Sequence, residues 1–127
     1  MVGKRTALHL CFLTLPLASP ALATDSLHHS FANCVGRLAA QLEYEWLVSD
    51  ERAAQTEQQL KQFRDLLEAT TPPTQSDDTF GLRLNAKTAH SAILSRAAFN
   101  KNRSDAAWAK RRADAEIAQC RTLLLGG

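Results

Sequence analysis

Between Thr24 and Leu125 the chain carries two adjacent prolines, Pro72 and Pro73, and two glycines, Gly36 and Gly81. Seventeen residues after position 23 are Ala, and few β-branched residues cluster anywhere in that stretch. Long runs of Ala, Leu, Glu, Gln, Arg and Lys without breakers favour helix. The apolar spacing agrees. Leu27, Phe31, Cys34, Leu38, Leu42 and Trp46 follow steps of three and four, as do Leu82, Ala86, Ala89, Ile93 and Ala97. Ala53, Leu60, Phe63 and Leu67 form a further stripe, and Ala106, Ala109, Ala113, Ile117, Cys120 and Leu124 another. Each stripe marks one buried face of an amphipathic helix.

The interruptions divide the chain into segments at about 26–48, 51–70, 80–99 and 105–124. Ser49 and Asp50 are placed to cap the second segment, and Ser104 to cap the fourth. The stretch from Thr70 to Asp78 contains both prolines and reads as a loop. The expected fold is all-α. It is an antiparallel four-helix bundle, or a long two-helix hairpin if the breaks near 49 and 101 are only kinks.

The first 23 residues have a different character. Lys4 and Arg5 precede an apolar run from Ala7 to Leu17, Pro16 and Pro20 end it, and Ala21-Leu22-Ala23 follows. This is the pattern of a secretory signal with cleavage after Ala23, and the run is too short for a membrane span. Residues 24–127 are then a single helical domain in the periplasm or outside the cell, with no membrane span after cleavage. Cys11 leaves with the signal, so Cys34 and Cys120 remain, and in an oxidising compartment they are expected to pair. Such a bond brings the two Cα atoms within about 7 Å, so the chain must return to where it began.

Signal removal also takes Lys4 and Arg5 from a chain of net charge +2, leaving a net of zero. That balance argues against a nucleic-acid binder. The charges are unevenly placed: residues 24–78 carry ten acidic and four basic side chains, and residues 79–127 three acidic and nine basic. An acidic half packing beside a basic half is the simplest expectation. Lys110, Arg111 and Arg112 are consecutive and so fan around a helix rather than facing one partner.

No catalytic spacing stands out. There is no CxxCH or CxxC run, no HExxH, no GxSxG and no Gly-rich phosphate loop. His28 and His29 point apart on a helix and read as solvated or capping residues. No cofactor, metal site or enzymatic activity is expected. Trp46 continues the first stripe and should be partly buried. Trp108 and Tyr44 stand off their stripes. The sequence therefore suggests an exported interaction or accessory protein that binds an envelope or extracellular protein, with Trp108, Tyr44, Lys110, Arg111 and Arg112 as candidate contacts. The alternative is a carrier or sensor holding a small apolar or anionic ligand between Ala-lined helices.

Overall fold

A computed structural model describes residues 20–126, with side chains from Leu27 onward. It contains four helices, α1 (Pro20–Leu47), α2 (Ala53–Thr70), α3 (Ser76–Phe99) and α4 (Arg103–Leu124), with one 3-10 turn at Pro73–Gln75. The fold is all-α, and the breaks near 49 and 101 separate distinct helices. The expected signal sequence lies outside the described residues apart from its last four positions, which open α1. No helix among the described residues is long and apolar enough to cross a membrane.

The connections follow from local chemistry. Ser49 takes a left-handed conformation with φ 56°. The Asp50 N–H then donates to the Glu45 carbonyl at 2.8 Å and the Ser49 N–H to the Trp46 carbonyl at 3.3 Å. This closes α1 in a Schellman motif, so Ser49 ends one helix and does not cap the next. Asp50 Oδ1 accepts from the Arg52 N–H at 2.9 Å, and its carboxylate binds the Arg52 guanidinium. The Arg52 side-chain and backbone hydrogen bonds hold the Asp50 carboxyl down to about 2.

The prolines end α2 at Thr70, where the Thr70 and Thr71 hydroxyls donate back to the Leu66 and Leu67 carbonyls at 2.8 and 2.6 Å. α3 starts four residues earlier than the sequence suggests, because Asp77 and Asp78 occupy its first turn and favour the N-terminal dipole. Asn102, rather than Ser104, caps α4 by accepting from the Asp105 N–H at 3.1 Å.

Consecutive helices run antiparallel, and α1 packs against both α2 and α3. α1 and α3 therefore run parallel and touch directly. Gly36 permits this: a Cβ built there would lie 2.3 Å from the Arg83 carbonyl oxygen and 2.9 Å from the Lys87 backbone nitrogen. α4 lies on α3 and reaches α1 through the Cys34–Cys120 disulfide, whose Cα atoms are 5.6 Å apart. Around that bond sits the apolar core of Phe31, Val35, Leu38, Leu42, Leu60, Phe63, Leu67 and Ile117. Phe31 and Phe63 meet with ring centroids 5.9 Å apart.

Away from the disulfide, the buried residues change character. Outside that apolar cluster Ala109, Ala113, Gln41, Glu45, Thr56 and His90 are buried as well. This polar layer alters the α3 stripe read from sequence: Ala89 is exposed, and His90 and Leu94 take the inward positions. Trp46 is 57 % exposed rather than partly buried and lines an open groove between α1 and α2. His28 is fully buried instead of solvated, its ring edge-on to exposed His29 at 4.5 Å.

The charge halves also pair differently from the expectation. Among the described residues, only Lys87–Glu43 joins a cation of the second half to an anion of the first. The other ion pairs are mostly local, such as Lys61–Asp65, Lys110–Asp114 and Arg112–Glu116 at i,i+4. The basic excess of α3 and α4 therefore remains largely uncompensated by the acidic half.

Candidate functional site: a buried polar chain and an exposed apolar edge

Two arrangements stand out. The first is internal. His90 on α3 is fully buried, with Glu116 Oε2 2.9 Å from Nδ1 and Gln41 Oε1 3.2 Å from Nε2. Gln41 in turn donates through Nε2 to Glu45 Oε1 at 2.9 Å. Arg112 Nε donates to Glu116 Oε1 at 2.9 Å, and Arg37 Nε lies 3.7 Å from Oε2. The chain thus runs from solvent at Arg112 and Arg37 through Glu116, His90 and Gln41 to buried Glu45. Glu45 Oε2 and Thr56 Oγ1 are buried without a hydrogen-bond partner among the described residues.

Two demands on His90 oppose each other. Both ring nitrogens face acceptors, an arrangement completed by a doubly protonated ring. Burial disfavours that charge. Desolvation pushes His90 below its ordinary value of 6.5, against the hydrogen bond and charge of Glu116, while Arg37 adds to the lowering. A neutral ring can donate from only one of these two nitrogens. For Glu116, burial acts to raise the pKa, but hydrogen bonds from His90 and Arg112 and the Arg37 charge outweigh it. Its carboxyl is held below the ordinary 4.5.

The sign of the resulting pH dependence is fixed. A depressed folded-state pKa means that the unfolded chain binds more protons in the titration window, so stability rises with pH there. The His90 contribution is complete above about pH 6.5 and declines as pH falls through the folded value. The Glu116 contribution declines next, below about pH 4.5. Urea unfolding at pH 7.5 and pH 5 should show lower stability at pH 5, and His90→Gln should flatten that difference. An unchanged slope in the variant would remove His90 from the account.

The second arrangement is on the surface. Leu47 is 84 % exposed, Phe99 81 % and Val48 51 %. With Tyr44, Ala40, Leu94 and Ser95 they line a groove of about 450 Å³ between the C-terminal ends of α1 and α3. A second groove, about 570 Å³, runs between α1 and α2 beside Trp46, and a third, about 200 Å³, lies between α2 and α3 beside Phe80 and Leu84. Ala39 and Arg64 line both the second and the third, and Glu43 lines both the first and the second. The grooves therefore share one floor, the outward edge of α1, and all open to solvent.

The structure separates the residues singled out in the sequence. Tyr44 is half-buried and lines the α1–α3 groove. Trp108 is 48 % exposed on α4, with the Arg96 guanidinium stacked over its ring at 5.0 Å. Arg96 is itself held by Asp105, donating through Nε at 2.6 Å. Lys110 pairs with Asp114, Arg112 belongs to the buried chain through Glu116, and Arg111 makes no ion pair among the described residues. These five residues do not form one cluster. Sequence reasoning missed Leu47, Val48 and Phe99, which sit at helix ends where a periodic stripe gives no sign of exposure. Among the described residues no group of three or more His, Cys, Asp or Glu is arranged to hold a metal ion.

No protein-family model, curated protein or solved structure matches this chain.

Proposed function

We propose that this protein is a small exported interaction module, without catalytic activity, that binds another protein in the cell envelope or outside the cell. The observation that carries the reading is the apolar edge of α1 and α3. Leu47 and Phe99 are more than four-fifths exposed beside a groove that Tyr44 and Val48 also line. Large apolar side chains gathered on one edge mark contact surfaces, and aromatic anchors dominate the energetics of such contacts. The disulfide fits an oxidising compartment. Against the carrier alternative, the interior is occupied by Leu38, Phe63, His28 and His90, each almost fully buried, and the grooves face outward.

The test is covalent capture from the native envelope with a photoreactive residue at position 95, beside the groove. One protein should be cross-linked reproducibly, and Leu47→Glu and Phe99→Glu should each abolish its recovery while circular dichroism stays helical. Equal recovery with both variants would overturn the reading, as would recovery of a small molecule and no protein.

A further inference from the structure

Resting on the interaction reading, we infer that the cleft between α2 and α3, floored by α1, receives an acidic amphipathic helix of the partner protein. The cleft exists because α2 and α3 both pack on α1 but make little contact with each other. Its floor is Val35, Gly36 and Ala39, whose short side chains leave a channel. Phe80 and Leu84 stand on its α3 wall one turn apart, 58 % and 53 % exposed. Trp46, also exposed, stands at the far end of the same floor, where the α1–α2 groove continues through Ala39 and Arg64. From Val35 to Trp46 the floor runs about 16 Å along α1, the length of about three helical turns. Apolar anchors at both ends of such a channel match a helix presenting one apolar stripe.

Charge identifies the chemistry of the flanks. At the Phe80 end every charged lining residue is a cation: Arg64 from α2, and Arg83 and Lys87 from α3. Arg64 has no ion-pair partner among the described residues, and Arg83 rests over the Phe80 ring at 5.6 Å, while Lys87 is held by Glu43. At the Trp46 end, Glu43 and Glu57 balance Lys61 and Arg64. The occupant therefore carries carboxylates beside its apolar stripe at the end that meets Phe80 and Leu84. The site discriminates against a basic helix there, since like charges would be brought together beside Arg64 and Arg83.

A stapled fourteen-residue helical peptide serves as the probe, with Leu at its first, fifth, eighth and twelfth positions and Glu flanking the first two. Its control carries Lys in place of Glu. In a Trp108→Phe background, Trp46 alone reports on the cleft. The acidic peptide should shift Trp46 emission to the blue and bind more tightly at low salt. Arg64→Glu and Arg83→Glu should each weaken it about five- to tenfold, and the basic control should bind at least about tenfold more weakly. No emission change, or equal binding of the two peptides, would overturn the inference. Envelope capture separates this outcome from the broader reading. If Leu47→Glu and Phe99→Glu abolish recovery of the natural partner while Arg64→Glu and Arg83→Glu leave it unchanged, the protein is an interaction module and the cleft assignment falls. If no variant alters recovery, both fall.

Discussion

Replacing Cys120 by Ser should lower the free energy of unfolding by about 2–5 kcal/mol. The disulfide closes a loop of 86 residue steps, and both cysteines belong to the buried apolar cluster. Cys34 and Cys120 are 2 % and 0 % exposed. Breaking the bond frees the denatured chain from a long closure and places a polar hydroxyl beside the remaining thiol among apolar neighbours. A domain of this size holds only about 5–15 kcal/mol in all, so the loss is a large fraction. Chemical denaturation of wild type, Cys120→Ser and the reduced wild type would measure it. A shift below about 1 kcal/mol would show that packing alone closes the bundle.

Gly36→Ala should cost about 3 kcal/mol, at the upper end for overpacked sites. The added methyl group would meet backbone atoms of Arg83 and Lys87, neither of which can rotate away. α1 and α3 would have to separate, and their separation would loosen Val35 and Leu38 in the core as well. An Ala in the middle of an exposed helix would stabilise relative to Gly by up to about 1 kcal/mol, so the sign of the measured change tests the close approach directly. A stabilised variant, by thermal or urea melting, would mean that the helices do not touch at this point.

The helical class and the disulfide were legible because they rest on strong, local signals: a long run without breakers, apolar residues at steps of three and four, and two cysteines left after the expected cleavage. The α3 line was misread for a physical reason. An apolar stripe takes no account of His90, whereas Glu116 and Gln41 supply the partners that let it be buried there. Those partners lie on other helices, 26 and 49 residues away, and no spacing within α3 records them. Arg112 likewise read as one of three consecutive surface cations, yet its guanidinium completes the same chain. Ser104 was the nearer cap candidate by residue type, but the Asn100–Asn102 turn determines where α4 begins: the Asn102 N–H donates to Asn100 Oδ1 at 3.0 Å. For the surface the limit is different. A stripe analysis assigns a large apolar residue on its line to the core, as with Trp46, and is silent on Leu47 and Phe99, which lie off every line; only the packed fold shows all three exposed.

The position of the covalent link has a mechanical consequence. It joins the middle of α1 to α4 near its end, so the loop that it closes holds α2, α3, the second half of α1 and most of α4. Tension applied through segments before Cys34 and after Cys120 passes from one sulfur to the other and never loads the residues between them. Pulled from its two ends, the oxidised protein would unravel only its outer stretches, including the first half of α1 with Phe31, while His90 and the second half of α1 with its grooves stay inside the closed loop. After reduction the same pull would run through every helix. A tethered partner could therefore tug on this protein without deforming the surface that binds it.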